Sequence, residues 1–464
     1  MWKLKIGEGG GPWMRSTNNF VGRQTWEFDP ELGTPEELAQ IENAREEYRK
    51  NRFRRRECDD LLMRTPSSCA CRNLPKIKLL GEDEPVTGEV VMTALKRALN
   101  RISTLQAHDG HWPGDFSGVM ILMPTMHEDG GWGLDILGPS TMFGTVLNYV
   151  CLRLLGEGPD DGDGAMEKAR AWILYHGSAA AIPQWGKIWL SMLGLYDWSG
   201  NNPMIPELWL VPRFLPIHPG NFWCFCRIVY LPMAYIYGRK FVGPITQTIL
   251  ELREELYYEP YDETDWNKAR NTCCKGLHMI CCWIEDPNSE EFKKHIPRIF
   301  DYLWIAEDGM KSQVYDSTNL WETTFMVQSI CSTNLSQEYG PTLNRAYEYI
   351  KNSQVLKEHP GDQRYWHRQA SKGSWTLSSA DNGWAVSDCT AEGLTALLLL
   401  EKVSPSFAIS RPIDRQRLYD AVDCLFNFMN KDGTFSSYES KRGYSWLEVL
   451  NPSETFVNIL VDYP

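Results

Sequence analysis

No stretch of this chain approaches the ~20 consecutive apolar residues that a membrane-spanning helix needs. The densest, Ile228 to Tyr237 (IVYLPMAYIY), is about half that length and fits either a core segment or a patch dipping into one leaflet. The N-terminus, MWKLKIGEGGGPW, lacks the apolar run of a secretory signal, which places the expected start of the chain in the cytosol. A concentrated basic face is also missing. Lys and Arg number 47 against 60 Asp and Glu, a net charge of −13, the wrong balance for a general nucleic-acid binder that works by neutralising phosphates. The one basic run, Arg52, Arg54, Arg55 and Arg56, reads as a solvated helix face. The 13 cysteines are odd in number and follow no framework spacing, with Cys273-Cys274 and Cys281-Cys282 adjacent, so a reducing compartment fits better than a disulfide scaffold. Cys69-x-Cys71 and Cys224-x-Cys226 lack the further Cys or His that would complete a four-ligand zinc site, and no metal is expected.

What the chain has in abundance is apolar and aromatic mass. Its 464 residues are 43% hydrophobic, with 19 Trp, 20 Tyr and 17 Phe, enough for two or three cores. Residues 1–90 are Gly-rich, then charged, then broken by Pro75 and Pro85, a lead-in with one helix expected near 35–57 that wraps another domain. From about residue 90 the pattern is helical: VMTALKRALNRISTLQ, STMFGTVLNYVCLRLLG and CTAEGLTALLLLEKV repeat apolar residues at three- and four-residue spacing. Period-two segments are few, so the expected class is all-α, built from helical hairpins.

Between the helices a motif recurs: HDGHWPGD at 108–115, HEDGGWGL at 127–134, KGSWTLSSADNGW at 372–384 and NKDGTFSSYE at 430–439. Any one of these reads as an ordinary helix-stop turn. Four together read as an irregular repeat of stacked helical hairpins. Gln106 precedes the first and Gln354 the third, where a Gln amide can bond the start of a neighbouring helix while the Trp stacks over it. Met126 and Phe435 replace the Gln and the Trp in the other two copies, whose ties are expected to be looser.

In ADNGWAVSDCTAEGL (380–394), Asp388 opens an apolar helix and Glu392 follows one turn later. Two readings are open for Asp388. As an N-cap it accepts a backbone N–H, worth about 1 kcal/mol. As a general acid it needs a raised pKa, which a helix N-terminus opposes and burial favours.

DCTAE, FWCFCR and the Gln…Gly-x-Trp repeats together resemble plant oxidosqualene cyclases, and the likeness runs from MWKLKIGEGG through STNNFVGRQTWEFDP to NPSETF. The resemblance implies an all-α fold of α/α barrel (toroid) domains. It divides the chain into a wrapping segment at 1–90, a first barrel domain at 91–345 and, from 346 to 464, the start of an incomplete second barrel. It implies an isomerase that protonates the epoxide of 2,3-oxidosqualene and cyclises it through cations to a sterol or triterpene without a cofactor. The place of action would be the cytosolic face of the endoplasmic reticulum or a lipid droplet, reached as a monotopic or peripheral protein through residues such as Leu208 to Tyr237. Aromatic faces suit this chemistry, since they stabilise a cation by about 0.5–2 kcal/mol each without attacking it.

By the same resemblance Asp388 is the general acid, with Cys389 its motif neighbour. Trp321 in NLWETTF is the aromatic beneath the first ring, and Trp223 and Phe225 of FWCFCR belong to the motif that tunes the product. Leu377 and Trp384 of WTLSSADNGW complete the substrate contacts. Phe225 keeps a π face but lacks the polar tip of the His or Tyr usual in the family, which implies a product other than a sterol. Leu377 stands for a usual Phe and Asn382 for a usual His. Thr125-Met126 bridge a place where about two helices are expected, and the chain ends at Pro464, where relatives continue into a second acid-partner cysteine. Two further readings follow from these departures and from the residues. One is an inactive, truncated homologue that binds lipid or a full-length cyclase, self-associating through exposed barrel helices. The other is a carbohydrate-active α/α barrel using Asp388 and Glu392.

Overall fold

The computed structural model describes residues 2–7, 11–29, 31–51, 85–114, 126–133, 139–204, 206–267, 269, 286–296, 299, 303–306, 309–312, 317–403, 409, 411–450 and 461. The basic run at 52–56, the cysteines at 69, 71, 273, 274, 281 and 282, Thr125 and the NPSETF segment lie outside these residues. In chain order the elements are β1 (Trp2–Ile6), β2 (Gln24–Phe28), α1 (Pro35–Asn51), α2 (Gly88–Leu105), α3 (Met142–Leu154), α4 (Ala165–Tyr175), α5 (Gln184–Leu193), α6 (Cys224–Arg239), α7 (Gln247–Glu255), α8 (Glu290–His295), β3 (Leu303–Ala306), β4 (Gly309–Ser312), α9 (Asn319–Ser332), α10 (Gly340–Asn352), α11 (Ser387–Val403) and α12 (Arg415–Phe426), with short 3₁₀ turns between them.

The helices start where the sequence supplies a short polar cap. Thr87, Thr141, Thr246, Ser289 and Asp414 each accept a backbone N–H from the first turn of α2, α3, α7, α8 and α12, filling groups that the helix itself leaves unpaired. The chain is predominantly helical, as its periodicity predicts, with two small departures. β1 and β2 pair antiparallel from Trp2 opposite Phe28 to Ile6 opposite Gln24, and β3 pairs with β4. Both segments of the first pair alternate apolar and polar residues, so the lead-in begins as a strand pair and not as coil.

The chain forms two compact units. The first comprises 1–48, 58–118 and 297–429, the second 49–57, 119–296 and 430–464. Both are discontinuous, whereas the sequence division at 90 and 345 is sequential. In the first unit α9 packs along α11, α10 touches both, and α12 packs on α11. On α11 the buried residues Cys389, Thr390, Gly393, Ala396, Leu397 and Leu400 form one face, the expected apolar stripe. Gly393 is held by space: a Cβ there would come within 2.8 Å of the Trp375 ring. In the second unit Tyr149, Met166, Ile173, Leu190, Tyr196, Ile249 and Leu252 build the main core, and Met233, Ala234 and Ile236 of α6 belong to a neighbouring one. The dense apolar run at 228–237 is thus largely core.

All four copies of the repeated motif share one pair of backbone bonds, which closes a tight turn in three of them and the longer loop from Val355 to Ser374 in the other. Ala107, His127, Val355 and Asn430 each donate their N–H to a carbonyl across the turn or loop (His111, Gly131, Ser374 and Thr434). Each also accepts from the N–H of a glycine, Gly110, Gly130, Gly373 or Gly433. All four glycines have positive φ, between +87° and +102°, a conformation costly for any residue with a Cβ.

The copies differ in what they tie together. In the first unit Gln106 donates to the carbonyls of Gly110 and Thr342 and accepts from Arg345. Gln354 repeats the arrangement with Gly373, Arg417 O and the Arg417 guanidinium. The Gln amides therefore bond the first turn of the neighbouring helix, as the sequence predicts, through the Thr342 and Arg417 carbonyls and an arginine guanidinium. The indoles of Trp112 and Trp375 donate to Ile102 O and Ile350 O, both at 2.8 Å, satisfying late carbonyls of α2 and α10.

In the second unit Met126 is buried in the apolar core, and Asp129 makes the link instead, accepting from Ser140 Oγ and Trp172 Nε1. Phe435 is 47% exposed and does not occupy a Trp-like place. Asn430 ties its own loop through Thr434, Ser436 and the Lys441 N–H.

Residues 17–22 of the lead-in bond to later parts of the chain. Within the first unit Thr17 donates from N and Oγ1 to Asp381, Asn18 donates to Asn352 O, Gly22 N donates to Asp109, and Asn319 Nδ2 donates to Gly22 O. The STNNFVG segment is thereby tied to the end of α10, the start of α9 and the loop residues Asp109 and Asp381.

Candidate active site

Trp375 links the repeat to DCTAE. Its N–H donates to Thr390 Oγ1 at 3.1 Å, and its carbonyl accepts from Val386 N and Thr390 Oγ1. The first turn of α11 is thus fixed on a fully buried indole, with Cys389 and Thr390 turned inward and Asp388 exposed. Asp388 lies inside the first turn, one residue past Ser387, which corrects the N-cap reading. Its carboxyl is held above the ordinary carboxylate range. Partial loss of water against the helix end is the main cause and the charge of Glu392 adds to it, while backbone N–H bonds at Asp388 and Cys389 pull the other way. A helix N-terminus alone would have lowered it; desolvation outweighs that here. Burial, with the neighbouring Asp388 and Glu392 charges, pushes the Cys389 thiol up as well, so it stays protonated.

Glu392, one turn on, accepts a 2.5 Å bond from Gln328 Nε2 of α9. Gln328 was not singled out in the sequence; it stands seven residues after Trp321, on the helix face that Phe325 shares. Trp321 is half-buried and meets Phe325 edge-on at 4.9 Å. The structure therefore brings Asp388, Glu392 and Trp321 onto two helices packed against each other. Trp384 is half-buried with the Arg368 guanidinium 4.7 Å over its ring, so one of its π faces already carries a cation of the protein. Leu377 is half-buried on the loop between Trp375 and the turn at Ala380–Asn382.

Trp223 and Phe225 belong to the second unit. Trp223 is the residue before α6, half-buried, its ring meeting Tyr438 edge-on at 6.3 Å. Phe225 stands in the first turn of α6, and its side chain lies outside those described. Arg227, which closes the FWCFCR motif, makes a buried ion pair with Glu439. Tyr438 and Glu439 lie in the fourth repeat copy, NKDGTFSSYE; the sequence marked that copy for its turn and gave no sign of its partners. Among the described residues, no three His, Cys, Asp or Glu side chains gather as metal ligands, and Cys224 and Cys226 are buried.

Residues 119–298 match the squalene-hopene cyclase N-terminal domain, nearly the long central stretch of the second unit. The whole chain reaches further. It is 36% identical to alpha-onocerin synthase of Lycopodium clavatum over 98% of its own length and 72% of that protein. It is 36% identical to cycloartenol synthase of Dictyostelium discoideum and 38% identical to lanosterol synthase of Mus musculus, each over 80% of this chain, covering 64% and 62% of those proteins. The chain belongs to the oxidosqualene cyclase family, and the carbohydrate-enzyme reading falls with that result. It spans a little under two thirds of the cycloartenol and lanosterol synthases. The match to onocerin synthase extends over 555 aligned positions, more than the 464 residues here, so that relative carries residues inside the match that this chain lacks.

Proposed function

We propose that this chain acts in the cyclisation of 2,3-oxidosqualene to a triterpene. Asp388 gives its proton to the epoxide oxygen, the C–O bond opens, and the alkenes close rings in turn until a proton is lost from the final cation. The observation that carries this reading is DCTAE folded as the first turn of α11, with Cys389 and Thr390 buried and the Asp388 carboxyl facing outward. A raised pKa favours the protonated donor form that the step requires. Trp321, Trp223 and Phe225 are the proposed cation-stabilising rings, with Tyr438 joining Trp223; Leu377 and the free face of Trp384 complete the contacts. Phe225 offers no proton acceptor, so a non-sterol skeleton is the expected product. In the proposed architecture α11 belongs to the second α/α barrel domain, which starts at residue 346, and α9 to the first.

Membrane contact is part of the proposal. Leu210 and Phe214 are 82% and 84% exposed, with Leu231 at 46%, and burying such side chains in a leaflet gains roughly 1.5–3 kcal/mol each. Among the described residues no helix is long and apolar enough to cross a membrane, so attachment would be to one face, of the endoplasmic reticulum or a lipid droplet. The test is expression of the 464-residue chain in a host lacking its own cyclase, with Asp388→Asn beside it and products read by mass spectrometry. A cyclic product that vanishes in Asp388→Asn supports the proposal. Folded protein without product overturns it and leaves a lipid-binding homologue.

A further inference from the structure

In the second unit Arg227 and Glu439, 212 residues apart, meet in the protein interior with exposures of 7% and 2%. Two parallel bonds join them, Nη1 to Oε1 at 2.5 Å and Nη2 to Oε2 at 2.9 Å. Arg442 adds a third, to Oε2 at 2.8 Å. Arg227 Nη1 also donates back to the Phe222 carbonyl at 2.5 Å. Two guanidiniums on one carboxylate leave an excess positive charge in a buried place, and as a stabilising device this is poor: apolar side chains of similar volume commonly do as well or better. What the arrangement does supply is direction. A bidentate guanidinium–carboxylate pair fixes distance and orientation together.

The two tethered points are informative. Phe222 immediately precedes Trp223, and Glu439 immediately follows Tyr438. Arg227 therefore holds both ends of the Trp223–Tyr438 edge-on contact, one through a backbone carbonyl and one through a carboxylate. Apolar packing of Phe222 and Cys226 with Leu447 and Val461 closes the same junction without specifying a rotation.

We infer that Arg227 and Glu439 are positioning residues that set the mutual placement of Trp223 and Tyr438, and through it the distribution of cyclisation products. The inference rests on the cyclase reading above. A ring displaced by a fraction of an ångström stabilises a different carbon of the cation, so the signature is a changed product ratio and not merely a lower yield.

Two readouts separate this from simple stability. The first needs no activity: alkylation of the buried thiols Cys224 and Cys226, mapped by mass spectrometry in the full chain. Glu439→Gln is expected to speed their labelling about tenfold while leaving Cys151, elsewhere in the unit, unchanged. The control is Arg153→Lys, which weakens another ion pair of this unit, Arg153 with Glu255, and is expected to spare Cys224 and Cys226. The second readout is the product ratio in the cyclase-lacking host. Glu439→Gln and Arg227→Lys shift it, Glu439→Asp restores it in part, and Arg153→Lys lowers yield at an unchanged ratio. Equal labelling of all thiols, or a fall in yield at constant ratio in Glu439→Gln, overturns the inference. Should Glu439→Gln fail to fold, Arg442→Gln at the rim of the cluster carries the same test. Absence of product from the unaltered chain overturns the cyclase reading and the product-ratio part with it, while the labelling still decides whether the pair fixes the start of α6.

Discussion

The two units carry the same repeated pair of backbone bonds and use it differently. In the first, Gln106 and Gln354 bond neighbouring helices through both ends of the amide, Trp112 and Trp375 cap the helices before them, and a Cβ on either glycine would strike backbone. In the second, Met126 joins an apolar core, Asp129 and Asn430 form shorter links, a Cβ on Gly433 would meet nothing within 4 Å, and one on Gly130 would come no closer than 3.2 Å to Lys168. The pair of backbone bonds survives in all four copies, between residues four apart in three of them and between Val355 and Ser374 in the other, each time with a positive-φ glycine. Rigid fixation of neighbouring helices requires the Gln and the Trp as well. That fixation is found in the unit that carries Asp388, where Trp375 is bonded directly to the first turn of α11.

The sharpest way to break the comparison is at the glycines. Gly373→Ala puts a Cβ 2.2 Å from Asp420 O at a φ of +91°, and a loss of roughly 3 kcal/mol or more is expected. Gly433→Ala meets nothing within 4 Å at a φ of +87° and should cost about 1–2 kcal/mol, the backbone preference alone. Denaturant unfolding of both variants checks the difference; equal losses would mean that the close approach in the first unit does not hold its helices together.

Next in size are the amides. Gln354→Ala removes two donated bonds and the acceptor for Arg417, for a loss of roughly 2–3 kcal/mol. If the second unit merely lacked a Gln, Met126→Gln would restore the tie. It should instead destabilise by about 1–3 kcal/mol, because an amide would enter an apolar core without partners. A gain in melting temperature for Met126→Gln would show that the two units differ in sequence only and not in packing.

How much of this was legible follows from where the information sits. The turns were readable because glycine and an aromatic at fixed spacing are local signals. Their acceptors, Thr342 and Arg417, are carbonyls of other helices, and no side-chain type marks them. β1 and β2 had a readable alternation in WKLKI and QTWEF, yet the long loop between them gave no hairpin signal that would have paired them. Apolar content predicted a surface at 208–237, and the fold divides it: Met233, Ala234 and Ile236 are core, Leu210 and Phe214 exposed. Asp388 and Trp321 were readable by resemblance, while Gln328 and Glu439 are defined by contacts across 64 and 212 residues, for which the local sequence carries no sign.

Smaller effects come from titration. Burial pushes Asp109 up, but bonds from His111 and the Gly22 and His111 N–H groups outweigh it and hold the carboxyl below its usual range. Its folded pKa is therefore below the unfolded one, so its stabilisation is present above about pH 4 and lost as pH falls through the folded value. Asp109→Asn should lower stability at neutral pH and converge with the parent chain in acid. Unfolding midpoints measured from pH 2 to 7 test this, and a gap that persists in acid would assign the loss to packing.

Asp388 should show the opposite sign and the smallest effect. Its folded pKa is raised, so the folded state binds the proton more tightly than the unfolded chain, and stability declines as pH rises from the unfolded value through the folded one. Asp388→Asn removes that ionisation and keeps an oxygen to accept the backbone N–H bonds. The variant is expected to match the parent in acid and to exceed it slightly at neutral pH, an effect kept small by the exposure of the side chain. A neutral-pH loss instead would mean that the carboxylate serves the helix as an ordinary cap. A gain would mean that the first unit, with its helices firmly tied, holds at this position a group disfavoured in its charged form, as a proton donor requires.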